Sequence, residues 1–236
     1  MKFISHSHIG KVKKNNQDSI GHKSTPLGNL FIICDGVSGL PNGKRASDLT
    51  VNTLLHNFMN VRINSIKDHE ILKNIFEKTH EKFMRAASKP MGTTVAACLI
   101  KNNSVFAAWC GDSRIYHFKK NSIEWMTMDH NVLHDILNKG QGNSVHYQNP
   151  KALNRFFGKR ILVKSEYYQF DVETNDYILI CSDGLSDFIH ETELLSIITK
   201  NTLEEASNIM NNKLLSKNIS APDNFSWYII KIKEHK

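Results

Sequence analysis

Six aspartates stand where an apolar, strand-like run meets a turn: Asp18, Asp35, Asp112, Asp183, Asp187 and Asp223. The pattern is plainest in Phe31-Ile32-Ile33-Cys34-Asp35-Gly36, and it recurs in Ile178-Leu179-Ile180-Cys181-Ser182-Asp183-Gly184. A carboxylate at the end of a buried strand sits on a rigid frame and still faces the rim. The glycine after it lets the chain turn sharply and come close to whatever the carboxylate holds. Acids gathered in one place repel one another and bind protons more tightly, a cost that divalent cations remove. An all-oxygen ligand set selects hard ions, Mg²⁺ or Mn²⁺, over zinc. Spacing alone does not bring the six together, and Asp-Gly is also an ordinary turn.

The elements that must position these acids follow from periodicity. Residues 3–34 read as short strands broken by Asn15-Asn16-Gln17-Asp18 and by the turn Pro26-Leu27-Gly28-Asn29. After the loop Gly36–Gly43, an apolar stripe of Ala46, Leu49, Thr53, Leu54 and Phe58 predicts a helix from about Lys44 to Phe58. Ile71, Leu72, Ile75, Phe76, Thr79, Phe83 and Ala86 predict a second, with Asp68 as its N-cap. Hairpins are expected around Asn102-Asn103 and Lys120-Asn121, with further strands at Tyr167–Val172, Tyr177–Cys181 and Ser226–Lys233. Helices are expected at Glu191–Lys200 and Leu203–Lys217, the latter opened by a Thr202/Glu205 capping box. Between Asp129 and about Arg160 the pattern weakens and predicts a partly helical, mobile insert punctuated by Gly140-Gln141-Gly142-Asn143 and Asn149-Pro150. This order lacks the strict alternation of a parallel α/β sheet. It predicts an α+β fold, two sheets packed together with helix pairs outside, as a single domain over 1–236.

Composition narrows the function classes. The chain has 236 residues, 40% of them hydrophobic, which is enough to bury a substantial core. No apolar run reaches the ~18 residues of a membrane span, and Met1–His6 does not read as a signal peptide, so a cytoplasmic protein is expected. Cys34, Cys98, Cys110 and Cys181 all lie in apolar runs without a Cys-x-x-Cys pair, and read as buried thiols. The formal charge of +7 raises the question of nucleic acid. No helix-turn-helix, zinc-finger or stacking-aromatic pattern accompanies the lysines, and most of them read as solvated surface. His6-x-His8 reads as alternate exposed positions on an edge strand, His130 as structural support for the turn after Asp129, and Arg114 as the partner of a nearby carboxylate. Val105, Phe106 and Trp109 read as core.

The motifs, taken in order, resemble those of the metal-dependent protein Ser/Thr phosphatases, the PPM or phosphatase 2C-like family, in its short bacterial form. Gly10-Lys11-Val12-Lys13-Lys14-Asn15-Asn16-Gln17-Asp18 is similar to the opening Arg-x-x-Asn-Glu-Asp motif, and Asp35-Gly36-Val37-Ser38-Gly39 with Gly43, Ala46 and Ser47 to the Asp-Gly-Met-Gly-Gly segment. Gly92-Thr93-Thr94, Gly111–Tyr116, Thr127–His130, Ser182–Leu185 with Asp187, and Asp223-Asn224 complete the series. One such motif is weak evidence; seven in family order, from about Gly10 to Ile232, are specific.

The resemblance implies an αββα sandwich and hydrolysis of phosphoserine and phosphothreonine by water activated between two Mn²⁺ or Mg²⁺ ions, with no phosphoenzyme. Carried over by position, Asp35 bridges the two metals. The Gly36 carbonyl ligates one, and Asp183 and Asp223 the other. Asp18 and Gln17 act through waters, and Asp112 with Asp183 and Asp187 makes a third, weaker site. Lys13 faces the substrate phosphate, and residues 131–158 or so correspond to the family's flap. Expected partners are phosphoprotein substrates and a cognate Ser/Thr kinase, with a monomeric protein and neither nucleic acid nor membrane. The chain departs from the pattern at three places. Lys13 replaces an arginine, so a bidentate fork becomes a point charge. Ser38 replaces a glycine, at a cost of ~1 kcal/mol if φ is positive there. Val37 stands where some members carry a histidine proposed as general acid. Two other readings stay open: a catalytically weak regulatory binding module of the same fold, and a two-metal nuclease or nucleic-acid binder.

Overall fold

The run Leu30–Cys34 is buried throughout, which a strand achieves only with a layer on each of its faces. Leu30, Ile32 and Cys34 pack towards helices, while Phe31 and Ile33 point into a second apolar layer. The computed structural model describes residues 1–62, 67–87, 89–138, 151–159 and 164–233. One sheet is ordered β2 (Asp18–Thr25), β3 (Gly28–Asp35), β4 (Val95–Lys101), β5 (Ser104–Cys110), β8 (Glu166–Asp171). The other is ordered β1 (Lys2–His8), β10 (Phe225–Lys231), β9 (Tyr177–Cys181), β6 (Arg114–Phe118), β7 (Ile123–Met126). Every pairing within them is antiparallel.

Three apolar layers hold the sheets and helices together. Helices α1 (Gly43–Met59) and α2 (Asp68–Ala86) cover the first sheet through Val51, Leu54, Phe58, Ile71, Leu72, Ile75 and Phe76. Helices α5 (Glu191–Lys200) and α6 (Leu203–Leu214) cover the second through Leu194, Ile198, Ala206 and Met210. Between the sheets Phe31, Ile33, Cys98 and Trp109 meet Ile115, Ile178, Ile180 and Ile230. The result is the expected αββα sandwich. All four cysteines are buried and free, and Val105, Phe106 and Trp109 are core.

The hairpins close where expected, with Asn102 in the left-handed region at φ 53°. The Thr202/Glu205 capping box is present in both directions. Other expectations need correction. Asp68 is the first helical residue of α2 rather than its N-cap, and its carboxylate takes the Lys101 ammonium at 2.7 and 2.8 Å. His6 and His8 do lie on an edge strand but are half-buried, because their rings stack on Trp227 (4.5 Å) and Phe225 (5.0 Å). A one-turn helix, α4 (Asp183–Ser186), follows β9 directly and has no periodicity to announce it. In the weakly patterned insert α3 spans Val132–Asn138, and Asn131 bridges to Leu153. The Gly140–Asn143 and Asn149-Pro150 punctuation lies outside the described residues. Among those described, no helix is long and apolar enough to cross a membrane.

Candidate metal centre and phosphate cleft

Both sheets deliver aspartates to one edge. Asp18 opens β2 and pairs across the ladder with Asp35, which ends β3. Asp112 follows β5, Asp183 follows β9, and Asp223 precedes β10. Asp35, Gly36, Asp112, Asp183 and Asp223 line a cleft of roughly 390 Å³, with Lys13, Val37 and Ser38 on one wall and Lys151 and Phe156 on the other. Asp18 lies beneath it, 2% exposed. Asp187 is exposed at the outer rim and is held by Lys151 at 2.7 Å.

The backbone around Asp35 is clamped by the Gly92-Thr93-Thr94 segment. The Asp35 amide donates to Thr94 Oγ1 (2.9 Å), and its carbonyl accepts from the Thr94 amide (2.8 Å) and the Thr93 hydroxyl (2.8 Å). Gly36 is needed for contact rather than for an unusual turn: a Cβ there would meet the backbone of Gly43, at the start of α1, at 2.4 Å. Gly184 works the same way, since a Cβ would sit 1.9 Å from the Asn224 carbonyl oxygen. It allows the Asp183 turn to pack against the Asp223 segment. Asn224 ties the loop that carries Lys13 to the last strand. Its amide donates to the carbonyls of Ile9 (2.8 Å) and Asn15 (3.1 Å), and its Oδ1 accepts from the Gln17 amide (2.8 Å).

Several acids have one oxygen fixed and one left over. Asp18 Oδ2 accepts from the Ser182 (2.8 Å) and Ser226 (2.7 Å) hydroxyls, whereas its Oδ1 is buried without a partner. Asp183 Oδ1 is likewise buried and unpartnered. Asp223 Oδ1 accepts from Lys13 (2.9 Å) and from the Asn224 amide (2.8 Å). Burial, followed by the charges of Asp18, Asp183 and Asp112, pushes the Asp35 carboxyl well up. Burial and then Asp112 and Asp223 do the same to Asp183. Asp18 is also raised, chiefly by burial, although its serine partners work against the shift. Asp112 is pushed up to about 7, by burial and then by Asp129. Unpartnered buried carboxylate oxygens are expensive unless a proton or cation meets them. This oxygen-only set therefore fits hard divalent ions. As they stand, no three His, Cys, Asp or Glu side chains among the described residues converge on one ion position. Lys13 and Lys151 instead supply the counter-charge to Asp223 and Asp187.

The supporting residues behave as follows. Arg114 grips Asp129 with two 2.7 Å hydrogen bonds, so it pairs with a carboxylate near the cleft and leaves Asp112 to other company. His130 Nδ1 accepts from the Gly111 amide at 3.2 Å, and burial followed by Arg155 holds its ring down to about 4, so it is a neutral turn support. Ser38 is not among the residues with positive φ, so the serine carries no backbone penalty. Sequence reading missed Ser226 and Lys151. A serine beginning a strand and a lysine after Asn-Pro look ordinary until the chain closes. Ser182, Thr93 and Thr94 were visible as motif letters without a task.

The chain is similar to bacterial phosphatases. The serine/threonine phosphatase stp of Listeria monocytogenes is 28% identical over 217 residues, covering 86% of each chain. The crystal structure of the serine/threonine phosphatase Stp1 from Staphylococcus aureus superposes with a TM-score of 0.89 at 24% identity, over 99% of this chain and 95% of that one. The catalytic domain of the phosphatase PstP, solved in complex with two manganese ions, gives 0.81 at 21% identity, over 99% and 98%. The profile of the protein phosphatase 2C family matches residues 5–217. With nine-tenths of its length matched and its aspartates meeting at one sheet edge, this chain belongs to the protein phosphatase 2C family.

Proposed function

We propose that this protein removes phosphate from phosphoserine and phosphothreonine side chains of proteins, and that its cleft holds two divalent cations, with a third bound more weakly. The observation that carries this reading is the convergence of Asp35, Asp112, Asp183 and Asp223 on one cleft, above an Asp18 whose free oxygen is buried without a partner. Asp35 would be shared by the two inner ions, and the Gly36 carbonyl, Asp183 and Asp223 would complete the set that holds them. Asp18 would act through water, and Asp112 with Asp183 and Asp187 would hold the outer ion. Bound there, two divalent ions supply positive charge at the phosphoryl group and make water a competent nucleophile near neutral pH.

The chain's own residues do the rest. Lys13, at the cleft wall, offsets charge on the phosphoryl oxygens. Thr93 and Thr94 keep Asp35 in place, and the two serine hydroxyls keep Asp18 from turning. Val37 has no proton to donate, so the leaving oxygen would take one from water or be helped by the bound ions. The cellular setting that goes with this reading is a cytoplasmic monomer opposing a Ser/Thr kinase.

The test is hydrolysis of an aryl phosphate and of phosphopeptides in Mn²⁺ or Mg²⁺. Activity should vanish in chelator, and phosphothreonine peptides should outrun phosphotyrosine ones. A full rate in chelator would refute the metal reading, and the reverse peptide order would refute the substrate class. No turnover of any phosphate ester with metal present would leave the fold as a binding module.

A further inference from the structure

Two residues that set this chain apart from its family pattern touch each other. The Lys13 ammonium donates to Ser38 Oγ at 3.0 Å while it is paired to Asp223 Oδ1 at 2.9 Å. An ammonium has three protons to give, so one remains for the cleft that both residues line. The Ser38 oxygen accepts from Lys13, and its own hydroxyl proton has no acceptor among the described hydrogen bonds. That leaves an N–H and an O–H side by side on one wall, their heavy atoms 3.0 Å apart, close enough for both to reach one phosphoryl group.

The support beneath them is firm. Ser38 sits second in a turn closed by the Leu40 amide on the Val37 carbonyl (3.0 Å), and the Val37 amide donates to the Gly92 carbonyl (2.9 Å). Its backbone lies outside the left-handed region, so the serine is held without strain. Asp223 fixes the end of the lysine stem, which would otherwise sweep a wide volume. A lone lysine is a point charge with no directional fork, whereas a guanidinium offers two parallel donors.

We propose that Ser38 is a phosphate-binding residue: with Lys13 it forms a two-donor clamp for a phosphate monoester, its hydroxyl serving as the second arm. The proposal rests on the reading of Lys13 as the phosphate contact. It explains how a lysine serves there, because the directionality lost with arginine is restored from a neighbouring turn.

The experiment measures inorganic phosphate binding calorimetrically to the Mg²⁺-loaded full chain, alongside kcat and KM for a phosphothreonine peptide. Ser38→Ala should weaken phosphate binding and raise KM by about tenfold, the worth of one hydrogen bond to a charged group, with kcat within about twofold. Lys13→Ala should weaken binding further. In a Lys13→Arg background the loss from Ser38→Ala should largely disappear, since the fork is then complete. A role in shaping the turn alone would lower the melting temperature and leave phosphate affinity alone. If Lys13→Ala weakens phosphate binding and Ser38→Ala does not, the clamp is wrong and the Lys13 assignment stands. If neither substitution changes phosphate affinity, the Lys13 assignment itself fails.

Discussion

Removing one charge from the acidic cleft should make the metal-free protein more stable, and Asp112 allows the size to be worked out. Burial, and after it the charge of Asp129, pushes its carboxyl up to about 7. In the unfolded chain the same group titrates near about 3.9. Each pH unit between those values is worth about 1.4 kcal/mol, so the ionised form costs the fold at most about 4 kcal/mol above neutrality. The side chain lies on the wall of the open cleft and is only half-buried, which reduces the expectation to about 1–3 kcal/mol. The sign follows from linkage. Below about pH 4 both states hold the proton and nothing is lost. Stability then falls as the pH rises through about 7, the value for the folded protein. Asparagine keeps the shape and never ionises. Asp112→Asn in chelator should therefore match wild type at pH 4 and exceed it at pH 8, by about 2–4 °C in Tm for each kcal/mol. Thermal unfolding at pH 4, 6 and 8 measures it. Saturating Mg²⁺ should shrink or reverse the gain, because a cation relieves the same repulsion. A gain equal at pH 4 and pH 8, or none at pH 8, would refute the electrostatic account.

Two further expectations concern the cleft. Asp35→Asn should cost at least about a hundredfold in kcat at saturating metal while keeping the fold, since it removes a charge from the proposed bridging position; near-normal turnover would count against that assignment. Gly184→Ala should destabilise by about 1–3 kcal/mol and weaken metal binding, because its Cβ would lie 1.9 Å from the Asn224 carbonyl and push the Asp183 and Asp223 segments apart. Unchanged melting and unchanged calorimetric metal affinity would show that the contact is relieved elsewhere.

The helices were legible because burial leaves a mark at intervals of three and four: Ala46, Thr53, Leu54 and Phe58 of the stripe read for α1 are buried, with Leu49 half-buried and Ser47, Thr50 and Val51 joining the face, and Thr202 with Glu205 caps α6 as read. The aspartates were legible because each sits where an apolar strand stops. Other features had no local signature. Ser226 reaches Asp18 across a sequence separation of 208 residues, so nothing near either residue announces the bond. Asp68 has the right type and place for a cap, but Lys101 on a neighbouring strand offers its carboxylate a charged partner. The half-burial of His6 and His8 depends on Trp227 and Phe225, which arrive with the last strand. Gly36 and Gly184 looked like turn residues, while their cause is a crossing segment that sequence does not show.

The clamp on Asp18 has a consequence for how the protein is made. One of its two hydroxyls belongs to Ser182, just after β9, and the other to Ser226 in β10, and β10 also pairs with β1, the earliest of the described strands in chain order. The N-terminal strand must wait, unpaired on its inner edge, until more than two hundred further residues have been synthesised. Contacts this distant in sequence carry a large loop-closure entropy and form late. Until they form, Asp18 lacks the Ser226 hydroxyl, and Asp223 is missing from the cleft that Asp35 lines. The first sheet and its two helices are complete in sequence by Asp171, before Asp183 and Asp223 of the cleft have been made. The cleft is thus completed only when β10 takes its place between β1 and β9.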